Sequence, residues 1–534
     1  MNIGISYHTK TFCRLCNALG GMALLISLVA FGVARSHDMP MPSGSLFFSE
    51  ASGSETALPV VLSRRDVALY QDIFRAQKKN DWATANASIK QLNNKILLGH
   101  VLADRYLRKY NSSQSELVSW LNEYDDHPQA ADLYTIAVAK TPAIKDKVPS
   151  ITRRPYLNGY GDDNGLAVLS EDGAYARTWR AGLQSWRAGN KAEAAKLFSS
   201  IAQHHEGLSP WVVSAAAYWS YRSYDTLGNH KEAYKYLHLA AEQPRSFYGI
   251  LARKQLKQKL NLDNEPVALS DSDMLEMIGD ETIRRTIALT QIGMNELAER
   301  ELRAVFLKSD DDERLRLLAL AHELGLASVQ ISMAKVIHSD STLDYAKYPV
   351  PNWQPEGGFK VSPELIFALM RQESGFRASA VNPSGALGLM QLMPKTALLM
   401  QKTMSSEGTT ITGNAADPVF NITLGQHYVR HLLDNELVEG NLFYMLAAYN
   451  AGPGRLQEWK KSLDYKADPL LFVESIPFAQ TRHYVMQVMT NYWIYSELAD
   501  KPSDSIYALL HGHWPSYDEA SWPVADASQV ATIE

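Results

Sequence analysis

An all-α fold is expected from three observations. Residues 57 to about 345 are rich in Ala, Leu, Lys, Glu and Tyr and nowhere sustain the period-two alternation of a half-buried strand. A short unit that opens on glycine or asparagine and brings in an alanine recurs through that region. Beyond a proline- and glycine-rich join, apolar residues again recur at helical spacing, as at Ile366, Leu369 and Met370. A length of 534 residues makes about two to four domains the starting expectation. The composition, 46% hydrophobic and 21% charged, is that of an ordinary globular protein. A net charge of −6 gives no footprint of nucleic-acid binding. The 26 Tyr and 11 Trp suit helix packing and also sugar stacking.

The first element reads as an export signal covering residues 1–34. Lys10 and Arg14 form a basic start, residues 18–33 carry no charge, and Gly32-Val33-Ala34 offers small residues at a cleavage site. An uncleaved anchor is the alternative, but Gly20, Gly21, Ser27 and Gly32 dilute a span that is short for a bilayer. Cys13 and Cys16, the only cysteines, lie inside this segment, so cleavage leaves a chain without thiols that must be held by packing. No stable membrane insertion is expected after cleavage.

The helical front follows. Gly189-Asn190-Lys191-Ala192-Glu193-Ala194 recurs as Gly228-Asn229-His230-Lys231-Glu232-Ala233, 39 positions later. Gly293 to Ala298 keeps the glycine-to-alanine spacing, and Asn80 to Ala85 is a looser copy. Glycine or asparagine suits a left-handed helix end, and the alanine lets the next helix approach closely. Such helix-turn-helix units, which resemble tetratricopeptide-type repeats, stack into an α-superhelix; an irregular α-bundle is the alternative. Pro142, Pro149, Pro155, Gly159 and Gly161 mark a loop or crossover between 141 and 165. His100, His230 and the His204-His205 pair have no partner at metal-ligand spacing and read as surface or packing residues. Pro349, Pro351, Pro355, Gly357 and Gly358 form the strongest domain boundary.

Beyond it, Ser362 as N-cap, Pro363 at the first position and Gly375 as the stop bound a helix. Glu373 falls on its apolar stripe, where poor solvation favours the protonated form that a general acid needs. The plainer reading is a helix-end glutamate that reaches water. In the tract 382–394 two glycines suggest a tight turn that lets backbone approach a ligand, and Gln391 is an amide in need of partners from ligand or backbone. A helix ending at Tyr449 is stopped by Gly452-Pro453-Gly454, which leaves the Tyr449 hydroxyl able to reach a cleft beside Glu373, or buried in a core. Glu474 precedes a helix spanning 479–498 and fits the charge favoured at a helix start. The stretch 501–534 is an acidic tail with Trp514, Trp522 and a His511-Gly512-His513 triplet to which no function is assigned.

Taken together, Gln372-Glu373-Ser374, Gly385-Ala386-Leu387-Gly388-Leu389-Met390-Gln391, Ala448-Tyr449-Asn450-Ala451-Gly452 and Glu474-Ser475-Ile476-Pro477 resemble the soluble lytic transglycosylase family. The resemblance is sharpest over about 360–495. It implies a lysozyme-like α catalytic domain at 350–500, an α-superhelical domain at 57–269, and a helical linker domain at 270–345 that closes the superhelix into a ring. By position, Glu373 matches the catalytic glutamate. Gln391, Met393 and Tyr449 match residues lining the sugar cleft, Asn450 lies in the same motif, and Glu474 matches a second acidic residue near it. Where many relatives carry a serine that contacts an N-acetyl group, this chain has Asn382, with Ser384 close by.

The activity so implied is cleavage of the β-1,4 bond between N-acetylmuramic acid and N-acetylglucosamine in periplasmic peptidoglycan, forming 1,6-anhydromuramic acid. The implied partner is the glycan strand; no cofactor or metal is called for, and a monomer is expected. One acid in place of the usual two fits a route in which Glu373 acts first as acid, then as base, with Tyr449 setting its proton affinity. A lysozyme-type hydrolase would need a positioned water, with Glu474 or Asp417 as its base. A non-catalytic glycan-binding scaffold is the other alternative.

Overall fold

The computed structural model describes residues 58–149, 151, 157, 175–204, 207–337, 339, 341–409, 411–501 and 503–517. The export-signal reading of 1–34, with both cysteines, and Trp522 lie outside them. Among the described residues every element is helical, apart from isolated bridges such as Val381–Leu387 and Leu387–Leu392. No helix in them is long and apolar enough to cross a membrane.

The recurring unit is a helical hairpin. Gly189, Gly228 and Gly293 take φ of 78°, 74° and 79°, and Asn80 takes 59°, the left-handed region that closes a helix without a Cβ clash. In three of these units the next residue, Asp81, Asn190 or Asn229, caps the following helix with its side chain. The alanines behind them, Ala85, Ala194, Ala233 and Ala298, are all buried. Lys191–Gln203 and His230–Ala241 both pack on Pro210–Thr226, and Glu281–Gln291 packs on Asn295–Phe306. Gly325, with φ 65° before Ala327–Ala334, is a further copy whose sequence has drifted too far to be picked out.

The cores do not follow chain order. Residues of Ala176–Arg187 through Phe247–Gln255 share one core with residues 348–509. Residues 62–101 share another with residues 269–346. A third lies within 103–144. At the first of these junctions Phe247 stacks on Trp493 with centroids 5.0 Å apart.

In the second core region His100, read from the sequence as a surface or packing residue, is fully buried. The fold brings His127 and Glu301 to it, 27 and 201 positions away, where no spacing rule would look. His100 Nε2 meets Glu301 Oε1 at 2.7 Å, and Arg285 Nε donates to the same oxygen at 3.0 Å. The carboxylate is thus committed to protein partners, and burial pushes His100 toward its neutral form.

Candidate active site

The helix Pro363–Glu373 is the axis of the site. Its apolar residues are not a stripe but a sleeve: every residue from Pro363 to Met370 is buried. It packs chiefly on Ala479–Leu498. Ser362 starts it, but its side chain makes no capping bond. Its backbone N–H instead donates to the Tyr517 hydroxyl at 2.8 Å. At the other end Gly375, at φ 56°, accepts the turn that stops the helix. Arg371 fixes the last turn by donating to Lys347 O at 2.9 Å and Asn491 Oδ1 at 3.0 Å.

Glu373 is therefore held at a rigid helix end. The residue keeps partial contact with solvent, yet protein atoms surround its carboxyl closely enough that desolvation lifts its pKa from 4.5 to about 7. The opposing influence is one hydrogen bond: the Tyr484 hydroxyl donates to Glu373 Oε1 at 2.6 Å. Among the described residues no second acid contributes to its titration.

This partner corrects the role expected of Tyr449. Tyr449 does lie beside Glu373: its ring is parallel to that of Tyr484 at 6.5 Å, and burial, followed by the nearby carboxylate, raises its own pKa. Its hydroxyl, however, donates to Met390 O at 2.7 Å. Tyr449 pins the loop after Gly388, and it is the Tyr484 bond that offsets part of the rise burial gives the Glu373 pKa. Tyr484 sits inside an ordinary helical stretch, and only its placement one turn beyond Thr481 could have drawn notice.

The remaining residues fall into two groups. Gln391, at φ 44°, donates both amide hydrogens to backbone, to Gly388 O at 2.8 Å and Ala380 O at 3.0 Å. Its partners are thus backbone carbonyls, the plainer of the two expectations. Gly388 is glycine for a packing reason: a Cβ there would lie 2.2 Å from Asn421 Nδ2 and 2.3 Å from Ala415 O. Asn382 is exposed, and its side-chain oxygen accepts from Ala386 N–H at 2.9 Å. Met393 is exposed at the start of Pro394–Ser406. Asn450 accepts from Thr481 Oγ1 at 2.7 Å, which ties the Tyr449 helix to the Tyr484 helix.

Glu474 stands apart. It is buried near the end of Pro469–Ser475, so the helix-start charge expected of it is not its role. Tyr248, from the helical front, donates to its Oε1 at 2.6 Å, and Trp219 Nε1 donates to Tyr248 in turn at 3.0 Å. Burial raises its pKa, opposed by Arg482, Tyr248, Trp179 and Arg187. Asp417 is likewise occupied: it caps Pro418–Leu433 through Phe420 N–H at 2.9 Å.

Residues 353–471 match the family model of the Transglycosylase SLT domain. That span holds Glu373, Asn382, Gln391, Met393, Tyr449 and Asn450, while Glu474 and Tyr484 lie past its end. The soluble lytic murein transglycosylase of Escherichia coli K12 is 31% identical over 296 residues, which cover 53% of this chain and 44% of that relative. A putative soluble lytic murein transglycosylase of Haemophilus influenzae is 29% identical over 299 residues, 54% of this chain and 48% of the relative. The matched part of the chain thus spans under half the length of these curated relatives. The crystal structure of the 70 kDa soluble lytic transglycosylase of Escherichia coli has a TM-score of 0.57 at 17% identity, covering 85% of this chain and 99% of that one. The lytic transglycosylase Slt of Pseudomonas aeruginosa, solved as an inactive mutant, gives 0.50 at 24%, covering 84% and 69%. At these identities the likeness is one of fold. Over residues 353–471 the chain matches the Transglycosylase SLT domain, and over about half its length it is similar to the soluble lytic murein transglycosylases.

Proposed function

We propose that the chain is a peptidoglycan lytic transglycosylase acting on glycan strands in the periplasm, in cell-wall remodelling and turnover. The observation that carries this reading is Glu373: an enclosed carboxyl at a rigid helix end, with a pKa of about 7 and one hydrogen bond. Such a group holds a proton near neutrality and can also take one back. With Oε1 held by Tyr484, Oε2 is the oxygen that delivers the proton to the β-1,4 glycosidic oxygen. The muramoyl 2-acetamido group supports the positive charge that grows at C1. Glu373, now ionised, takes the proton of the C6 hydroxyl, whose oxygen closes on C1. The product is the 1,6-anhydro sugar, and no water is consumed.

Exposed Met393 and Asn382 suit the wall of the sugar cleft, and Asn382 keeps an amide N–H2 to offer an N-acetyl group. Gln391 and Tyr449 support that wall from behind. Of the two bases that the hydrolytic alternative offers, Asp417 accepts a helix-cap hydrogen bond and Glu474 is enclosed by Tyr248. The export signal at 1–34, the division into 57–269, 270–345, 350–500 and 501–534, and a monomeric state belong to the same proposal. Mass spectrometry of muropeptides released from purified sacculi tests it. Products lighter by one water and lacking a reducing end are expected; free reducing ends would overturn the transglycosylase reading in favour of hydrolysis.

A further inference from the structure

The chain leaves the acid through a turn that few residues adopt. Gly375 and Phe376 take φ of 56° and 63° in succession. For Phe376, which has a Cβ, the left-handed region is unfavourable and persists only where surrounding contacts hold it. Burial of the Phe376 ring is one such contact. Another comes from the second core. Ser379, three residues on, donates its backbone N–H to Glu296 Oε1 at 2.7 Å, 83 positions back in the chain. The Ala380 carbonyl beside it accepts from Gly388 N–H at 2.9 Å and from the Gln391 amide at 3.0 Å. The loop that carries Asn382 and ends at Met393 thus hangs from the residue next to the one that Glu296 holds. Glu296 is itself presented by a helix with little freedom to move. On Asn295–Phe306, Glu299 accepts from Ser328 N–H at 3.1 Å, Glu301 meets Arg285 and His100, and Arg303 donates to Leu157 O at 2.7 Å. Buried Ala298 and Leu302 seat the same helix in the second core, whereas Tyr484 belongs to the first.

We propose that Glu296 is a positioning residue for glycan cleavage: by accepting the Ser379 N–H it sets where the loop 380–393 stands relative to Glu373. The inference rests on the function proposed above and adds that the second core takes part in placing the cleft wall. Glu296 and Ser379 are both exposed, so water satisfies the N–H once the carboxylate is gone, and little stability is at stake. What is lost is position. A charge-assisted bond fixes a shorter and more definite separation than water does, and a misplacement of about 1 Å is enough to weaken productive binding.

The test uses the full chain, with steady-state kinetics on uncross-linked peptidoglycan glycan strands and amide hydrogen exchange of residues 379–392. Glu296→Ala is expected to raise KM about fivefold and to speed exchange in that loop. The melting temperature and the pH at which activity falls should stay where they are. Glu296→Gln keeps an acceptor oxygen at the same reach and restores both readouts. Arg300→Ala, at an exposed position of the same helix, leaves them at the parent's values. An unchanged KM in Glu296→Ala overturns the positioning role, and so does a Glu296→Gln chain as impaired as Glu296→Ala. A rise in KM that comes with a fall in melting temperature, or that Arg300→Ala reproduces, marks a general structural effect and overturns it as well. A moved pH profile would assign Glu296 to the titration of Glu373 instead. Anhydro products from the parent with neither KM nor exchange altered by Glu296→Ala sink the positioning role alone. No cleavage by the parent, with exchange still raised in Glu296→Ala, sinks the cleavage reading and leaves the loop anchor standing.

Discussion

Glu373 carries two opposed demands, and they can be measured separately. Its pKa is raised in the fold, from 4.5 to about 7. Below pH 4.5 it is protonated in both folded and unfolded chains, and the fold carries no penalty. As the pH climbs from 4.5 through 7 the unfolded chain ionises first, so the stability present at low pH is lost. The full shift corresponds to about 3 kcal/mol, less whatever partial solvent contact returns. Glu373→Gln is therefore expected to remove cleavage of sacculi while raising the melting temperature at pH 8, with little change at pH 4. Equal stabilisation at both pH values would contradict the burial argument. Tyr484→Phe removes the bond that holds the pKa down. In the parent chain kcat/KM is expected to fall as the pH rises through about 7, because the acid form is lost. In the variant that limb should move to higher pH, with kcat lowered about tenfold or more. An unmoved limb would mean that Tyr484 does not tune the acid.

At the scale of elements, the helices around the acid are legible because their signals are local. Pro363 and Gly375 bound one helix, Gly452 closes another at φ 88°, and the span 479–498 coincides with Ala479–Leu498. The loop between Val381 and Leu392 is different. Two glycines announce a turn there, but the reason for the second is Asn421, 33 positions on, whose Nδ2 donates to Leu387 O at 3.0 Å and whose Oδ1 accepts from Met390 N–H at 2.8 Å. Nothing near Gly388 in the sequence points to that residue. Gly388→Ala places a Cβ against Asn421 and Ala415 at φ 77°. A loss of about 2 kcal/mol or more is expected in denaturant titration, with activity falling as the loop that Tyr449 pins is displaced. A variant as stable as the parent would show that the loop relaxes freely.

For the molecule as a whole, the cores tie Ala176–Arg187 through Phe247–Gln255 to residues 348–509. The polar bonds across this junction cluster on one short helix: Arg187 reaches Ser475 Oγ at 2.6 Å, Arg222 reaches Asp468 at 2.8 Å, and Tyr248 reaches Glu474. Asp504–Leu510 and the residues after it add a strap. Trp514 packs on Tyr444 with centroids 4.8 Å apart, Leu442 N–H donates to Pro515 O at 2.8 Å, and Tyr517 receives the Ser362 N–H. The stretch that the sequence leaves without a function thus supports the start of the helix that bears Glu373. Tyr248→Phe withdraws a donor from buried Glu474, a change that costs about 1–3 kcal/mol. It is expected to lower the melting temperature without shifting the pH limb set by Glu373. A shift of that limb would bring Glu474 into the chemistry.

Sequence alone determined the helical class, the hairpin unit, the principal helix ends and the poor solvation of Glu373, because each rests on periodicity or on neighbours within a turn or two. It named Tyr449 correctly as a neighbour of Glu373, since the motif puts it at a helix end. Tertiary structure decided which tyrosine hydroxyl reaches the acid, that Gln391 serves its own loop, that Glu474 joins the front helices, and that His100 has buried partners. Those bonds join residues up to 226 positions apart. Local pattern fixes where a side chain sits on its own helix, but only the packing of one helix on another fixes what its polar atom meets.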